Sequence, residues 1–486
     1  MMPRMLRHAT SFLFLAAVAA TTANAQRYVV TELPSNSPYG SLAWDINDAG
    51  TAVGDNLTVT LQRHALKWTP AGAVDLTPTN ALAQAQGISE GGVVAGWMQN
   101  SGTTEATRWN GASATPLGWL TGHVGSLAQD VNDAGLVAGW SVMPVGDPVA
   151  VVWQGGQIQA IGGAHSWAFA VSETGDVVGR RWVGTAIEAF RWRNGQTVTL
   201  PDLGPDDAQA VGISPLGLAS GYAKAPNGVL HAVVWDQNGV LQDLGPFVGT
   251  TGTFPAQAND VNDRGVAVGA AIIDPVLELF LAMVWRGQGA EDLNTLIQPG
   301  TGWTLFEAQS VNARGEIVGV GIRAGATGVR SFLLRPDCDG DGISDLDEIA
   351  LGTAHDSNQD GIDDRCQHCQ GNLGFQGPGA VELSICGDML LSPGTAATLA
   401  IDGAPPLAPV VLAVGLVSQP MPLLGGTLVP GGSLLVLSGL VAGANGSLAF
   451  ALPGFGTFPV TLFVQGIALN GPQALFSNAV RLELGL

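Results

Sequence analysis

The sequence predicts an all-β fold whose largest part is a seven-bladed β-propeller, and three observations carry that expectation. The phrase Ala-x-x-[Ile/Val]-[Asn/Ser]-x-x-Gly-x-x-x-Gly occurs seven times, starting at Ala43, Ala85, Ala128, Ala168, Ala210, Ala258 and Ala308. Successive starts lie 42, 43, 40, 42, 48 and 50 residues apart, a period typical of propellers, solenoids and arrays. Each period has room for four short strands and shows no 3.6-residue pattern, which favours a blade over a helical repeat. The ends of the array also complement each other. The seventh copy stops at Leu334-Arg335-Pro336 without a last strand, while Tyr28-Val29-Val30-Thr31-Glu32-Leu33-Pro34 ahead of the first copy is a strand without a sheet. Pairing the two would close a ring and leave no unpaired edge there.

Within a copy, Ala-x-x-[Ile/Val] reads as the first strand. Asn or Ser followed three residues later by Gly marks a type I turn, with the side chain capping position i. An apolar run ending at the second Gly follows, as in Val93-Val94-Ala95-Gly96. A third strand ends in Trp in six copies, at Trp68, Trp109, Trp153, Trp192, Trp235 and Trp285, where the seventh has Leu334, which is expected to leave the closing sheet less tightly packed. Each Trp is expected to fill the gap between neighbouring sheets, because a large apolar side chain buries the most area there. A last strand ends in Asp-Leu or a relative, as at Asp75-Leu76 and Asp243-Leu244.

Ile-Asn-x-x-Gly-x-x-x-Gly, followed by His64-Ala65-Leu66-Lys67-Trp68, His231-Ala232-Val233-Val234-Trp235 or Glu188-Ala189-Phe190-Arg191-Trp192, resembles the bacterial extracellular repeats of the HAF family. The resemblance covers residues 41–334. It implies an exported repeat protein and brings no established activity with it. The His stands in only two copies and is assigned no role.

The N-terminus has the three parts of a cleaved secretory signal over residues 1–25: Arg4 and Arg7, an apolar run over 12–20, and Ala23-Asn24-Ala25 before Gln26. That run is too short to span a bilayer, so the expected location is secreted or extracellular. Losing Arg4 and Arg7 takes the 19 basic residues to 17 against 40 acids, a net charge near −23. Such a chain would repel a phosphate backbone, which excludes nucleic acid as a partner. The expected partner is an extracellular protein or glycan, and no membrane span is expected, because Gly, Pro, Ser and Asn break every apolar stretch.

Residues 337–370 carry the strongest chemical signal. Asp337, Asp339 and Asp341 stand at positions 1, 3 and 5 of a calcium loop, with Gly342 at the sharp turn. The Ile343 carbonyl is position 7, Asp345 position 9 and Glu348 the bidentate position 12. A second loop offers Asp356, Asn358, Asp360, Ile362 and Asp364, but Gln367 replaces the bidentate anchor, so its affinity should be lower. Hard carboxylate oxygens in this number suit Ca2+ better than Mg2+. A merely solvated acidic linker would not place Gly and Ile at matching offsets twice. Only the outgoing side, from Ser344 as N-cap to Gly352, can form a helix. The segment is similar to thrombospondin type 3 and dockerin-type calcium repeats. All four cysteines, Cys338, Cys366, Cys369 and Cys386, lie in or beside it. In an exported chain they read as two disulfides with three possible pairings. Cys338–Cys366 with Cys369–Cys386 is preferred, since it would clip the loops together and tie them to the next domain.

The domain plan is therefore a signal peptide (1–25), a propeller (27–336), a calcium-binding linker (337–370) and a C-terminal β-sandwich (371–486), whose short apolar strands alternate with Gly/Pro/Asn turns. The apolar stretches 410–424 and 434–452 read as buried strands. No Gly-x-Ser-x-Gly elbow, His-Glu-x-x-His or phosphate-binding loop occurs, so no catalytic residue is assigned. Repeated Asn-Asp pairs (Asn47-Asp48, Asn132-Asp133, Asn262-Asp263) could suggest a carboxylate ring, but their place in the turn explains them. The resulting expectation is a non-enzymatic extracellular interaction or structural protein. A glycan-acting propeller hydrolase or lyase and a dockerin-like scaffold component are the alternatives.

Overall fold

A computed structural model describes residues 27–35, 37–77, 81–100, 102–204, 207–249, 252–274, 279–286, 289–337, 342–354, 371–374, 381–387, 396–423, 426–431, 435–443, 448–453, 460–471 and 473–484. These divide into two compact units between Gly342 and Ile343, a boundary inside the segment expected to be the linker. Both units are built almost entirely of antiparallel strands.

The repeated phrase explains itself across the first two strands of each sheet in the N-terminal unit. Its Ala pairs with its second Gly in every copy, from Ala43 opposite Gly54 to Ala308 opposite Gly319. Each of the seven Ala residues is fully buried. Directly after it the register shifts, so that the next residue is an unpaired bulge. The bulge presses the carbonyl before the Ala onto the facing Gly. A Cβ on Gly54, Gly96, Gly139, Gly179, Gly221, Gly269 or Gly319 would stand 1.9–2.2 Å from that oxygen. No side chain fits, and Gly is required there. The turn between the strands also forms as expected. In all seven copies the Gly N–H donates to the Asn or Ser carbonyl at 2.9–3.0 Å, as in Gly50 to Asn47 and Gly315 to Asn312.

Seven four-stranded sheets result among the described residues. The first comprises Ser41–Ile46, Ala52–Leu57, Arg63–Thr69 and Gly72–Asp75. The next five open with Leu82–Ile88, Gly125–Val131, Ser166–Val171, Ala208–Ile213 and Ala256–Val261. The seventh contains Trp303–Val311, Ile317–Arg323 and Arg330–Asp337. Its fourth strand is Arg27–Glu32, which pairs from Arg27 opposite Asp337 to Glu32 opposite Phe332. The first strands of successive sheets lie side by side, and that of the seventh lies against that of the first. The arrangement is β-propeller-like.

One apolar cluster lies between each adjacent pair of sheets, including the seventh and the first. Trp68, Trp109, Trp153, Trp235 and Trp285 are buried in these clusters. Four of them also donate an indole N–H to the neighbouring sheet's connection: Trp68 to Pro34, Trp109 to Leu76, Trp153 to Gly118 and Trp235 to Pro201. Two expectations change. Trp192 is only half-buried, because Phe190, two residues earlier on the same face, takes the centre of its cluster. The seventh sheet does not pack loosely for want of Trp. Phe332 and Leu334, both 0% exposed, and Tyr28 from the N-terminal strand fill its cluster.

In the C-terminal unit, a five-stranded sheet has the order Gly371–Gly374, Gln473–Leu484, Val460–Asn470, Pro409–Gly415, Leu435–Val441. A three-stranded sheet consists of Glu382–Gly387, Ala396–Asp402 and Leu448–Pro453. Leu383, Ile385, Leu399 and Ile401 of one share a core with Val410, Leu412, Val464 and Val480 of the other. The expectation that 410–424 and 434–452 are buried throughout does not hold. Val417–Leu423 is exposed at every residue and Leu435–Val441 at nearly every one. Among the described residues the first of these pairs only with Gly426–Gly431, forming a two-stranded ribbon apart from both larger sheets.

Trp153→Ala should cost about 3–5 kcal/mol, the range for deleting a buried aromatic side chain. Urea unfolding of the intact chain and the variant measures it. A cost below about 1 kcal/mol, as at a surface site, would mean that the Trp residues do not hold neighbouring sheets together.

Candidate functional site

The first strands of the seven sheets enclose a central channel of about 380 Å³. A regular strand alternates its side chains, but the bulge turns two consecutive residues of each copy toward this space. These pairs are Trp44-Asp45, Gln86-Gly87, Gln129-Asp130, Phe169-Ala170, Val211-Gly212, Asn259-Asp260 and Gln309-Ser310. All seven pairs except Val211-Gly212 carry a polar or aromatic member, and their residues line the channel. Eight carboxylates also line it, and no Lys, Arg or His does among the described residues.

Three of those carboxylates, Asp45, Asp130 and Asp260, act as clips. Asp45 Oδ1 accepts from Ile46 N at 2.8 Å, and its Oδ2 accepts from Ile88 N of the next sheet at 2.7 Å. Asp130 accepts in the same way from Val131 N at 2.7 Å and Val171 N at 2.8 Å. Asp260 accepts from Val261 N at 2.8 Å and Val311 N at 2.9 Å. Each clip needs a small neighbour. A Cβ on Gly87 would sit 2.7 Å from Asp130, and one on Gly212 would sit 2.8 Å from the Cα of Asp260.

Ser310 Oγ lies 2.8 Å from both Asp45 Oδ1 and Asp260 Oδ2. One hydroxyl carries one proton, so both contacts are hydrogen bonds only if one carboxyl is protonated and donates to Ser310. The electrostatics agree in direction. Burial pushes Asp45 upward, and burial followed by the Asp45 charge pushes Asp130 well up. The same two causes raise Asp260 to about 7.

At the turn end of the channel the Asn-Asp pairs hydrogen-bond to both neighbouring sheets. Asp48 accepts from Ala313 N at 2.7 Å, Asp133 from Gly91 N at 2.5 Å and Asp263 from Leu216 N at 2.9 Å, each in the preceding sheet. Asn47, Asn132, Asn262 and Asn312 donate to turn carbonyls of the following sheet. Glu90 is pushed up to about 7 by burial and then by the Asp48 charge.

The repeat histidines face acids of their own sheet. His64 Nδ1 lies 2.7 Å from Asp75, and His231 Nδ1 lies 3.0 Å from Asp243.

The expected calcium residues are only partly described. Asp339 and Asp341 of the first loop, and Asp356, Asn358, Asp360, Ile362 and Asp364 of the second, lie outside the described residues, as do Cys338, Cys366 and Cys369. Cys386 lies in the strand Glu382–Gly387. In the N-terminal unit, Asp337 is buried at the end of its strand, and its Oδ2 accepts from Gly342 N at 3.2 Å. Gly342 has φ +95, the left-handed turn expected of it. In the C-terminal unit, Ser344 caps the helix Asp345–Leu351 and Gly352 ends it in the left-handed region, both as the sequence suggested. Ile343 is exposed, while Asp345 and Glu348 are buried. A solvated linker would leave such acids in water, and buried carboxylates call for a pairing or metal partner. Among the described residues no three acid, His or Cys side chains converge on a metal-sized gap.

No family model and no curated protein matches the chain. Solved structures with some likeness include TolB from Acinetobacter baumannii (11% identity, TM-score 0.35, covering 61% of this chain and 64% of that one). A Mycobacterium tuberculosis puromycin-hydrolyzing peptidase is 13% identical with a TM-score of 0.43, over 76% of this chain and 60% of that one. A Trypanosoma rangeli sialidase in complex with sialic acid is 9% identical with a TM-score of 0.35, over 96% and 93%. The chain spans less than two thirds of the first two. None of these likenesses carries an activity over to it.

Because Asp260 is raised from 3.8 to about 7, the folded ring holds a proton that the unfolded chain has released between those values. Its contribution to stability is therefore complete below pH about 4 and fades as pH rises to about 7, by at most about 1.4 kcal/mol per pH unit. Denaturant midpoints at pH 5 and pH 7 should fall in that order. Asp260→Asn should flatten the difference.

Proposed function

We propose that the chain is an exported, non-enzymatic interaction protein of the HAF-repeat type. In this reading residues 27–336 form a closed seven-bladed β-propeller, 337–370 a calcium-binding linker and 371–486 a β-sandwich. One observation supports the non-enzymatic reading above the others. The Asp45, Asp130 and Asp260 carboxylates at the channel wall accept from backbone N–H groups of their own and the next sheet. Carboxylates committed in this way hold the ring together and are poorly placed to serve as a glycosidase acid and base. Asp337, Asp339, Asp341, Ile343, Asp345 and Glu348 would hold the first calcium ion. Asp356, Asn358, Asp360, Ile362 and Asp364 would hold a weaker second one. The bound ion would neutralise acids that otherwise repel one another within one short loop. The cysteines would pair as two disulfides and limit the loosening when calcium leaves.

The test is limited proteolysis and small-angle scattering with calcium and with chelator, beside Asp341→Ala. Cleavage within 337–366 and the overall dimensions should increase in chelator and in the variant, while the repeat region stays resistant. Identical patterns in both conditions would remove calcium from the account.

A further inference from the structure

A second pocket, of about 860 Å³, opens across the first three sheets and shares Trp44, Gln86 and Gln129 with the channel. Trp97 and Trp140 also line it. Trp44 is the bulge residue of the first sheet. Trp97 and Trp140 directly follow the close-approach glycines Gly96 and Gly139 of the next two sheets. All three indoles are half-buried and line the pocket.

The holding is specific. Trp44 Nε1 donates to Asp55 Oδ1 at 2.7 Å, and Trp97 Nε1 donates to Gln84 Oε1 at 3.0 Å. Gln84 Nε2 in turn donates to Asp55 Oδ1 at 2.7 Å, and Arg63 Nη1 donates to Asp55 Oδ2 at 2.6 Å. Asp55, only 1% exposed, thus orients two indoles, a carboxamide and a guanidinium together. Trp140 is fixed by an edge-on contact with Phe169, with ring centroids 6.2 Å apart. In the fourth sheet Arg180 stacks on Trp167 at 4.4 Å and covers that ring.

We infer that this pocket binds a neutral oligosaccharide, through stacking of sugar rings on Trp44, Trp97 and Trp140 and hydrogen bonds to Gln86, Gln129 and Arg63. A sugar presents a C–H face that suits an aromatic ring and vicinal hydroxyls that suit planar amide and guanidinium groups. The volume falls within the roughly 300–1,000 Å³ of small-molecule sites. Asp55 neutralises Arg63, the one cation in the pocket wall among the described residues, so the wall favours neither an anionic nor a cationic ligand. The whole chain, at −21, disfavours polyanions further. Rigid aromatic platforms with held edges also lose little entropy on binding. The inference rests on the interaction-protein reading and adds the chemical class of partner.

The experiment titrates the full chain with neutral β-1,4-glucan, β-1,3-glucan, xylan, mannan and chitin oligosaccharides, following tryptophan fluorescence, with chromatography of the mixtures for hydrolysis products. At least one oligosaccharide should bind. Trp97→Ala and Trp140→Ala should each weaken it tenfold or more without lowering the melting temperature. Trp182→Ala, at an exposed tryptophan elsewhere, should bind like the parent. If the aromatic variants melt early, the double variant Gln86→Ala/Gln129→Ala, which leaves the indoles in place, should show the same loss. Binding of none of these oligosaccharides, or unchanged affinity in the pocket variants, would overturn the inference. Hydrolysis products lost in the same variants would uphold the saccharide pocket and overturn the non-enzymatic reading instead.

Discussion

In every sheet of the ring, one carbonyl oxygen occupies the space where a methyl group on the facing glycine would be. The distances, 1.9–2.2 Å to an imagined Cβ, leave no alternative to Gly. The fully buried Ala opposite belongs to the same requirement. This close approach is the backbone side of a β-bulge, and the remaining architecture depends on it. The bulge inserts one extra residue and re-aims its neighbour, so each first strand sends two consecutive side chains toward the axis. One of the two becomes a clip or a small residue, and in every copy but the fifth, which has Val211, the other supplies the channel's aromatic and amide surface.

The clips tie neighbouring sheets together by hydrogen bonds as well as by apolar packing. Asp45, Asp130 and Asp260 each join adjacent sheets through backbone N–H groups, and Asn and Asp side chains in the turns add a second tier. At the seam, where the seventh and first copies of the repeat meet, the contacts cross 265 residues: Ser310 reaches Asp45, Asn312 reaches Asn47 and Ala313 reaches Asp48. The strand Arg27–Glu32 adds a full antiparallel register to the same seam. Burial costs these carboxylates solvation, which raises their proton affinity, and the hydrogen bonds offset part of that cost. The same scaffold leaves Trp44, Trp97 and Trp140 half-exposed above it.

Much of this was legible in the sequence. The period, the turn chemistry, the pairing of 28–34 with the seventh copy, and the helix from Ser344 to Gly352 follow from residues whose backbone demands are local. The channel clips were not legible, because a strand read as simple alternation assigns one of two neighbouring residues to the core. Only the bulge, invisible in a single copy, brings Trp44 and Asp45 to the same side. A signal exists across copies: Asp45, Asp130 and Asp260 each follow a copy with Ser310, Gly87 or Gly212 at the same place. Trp192 failed the rule of one buried Trp per copy because Phe190 reaches the same cluster first. The exposed ribbon Val417–Leu423 shows the limit of hydropathy, since an apolar run does not say which sheet will cover it.

If the ring is one closed cooperative unit, its N-terminal strand is as stable as its centre, although it stands near a chain end. Native-state hydrogen exchange on the intact protein measures this directly. Amides of Arg27–Glu32 that bond to Arg330–Asp337 should exchange only through global unfolding, with the same opening free energy as the first strands around the channel. Exchange of that strand as fast as a frayed terminus, while the channel strands remain protected, would contradict closure.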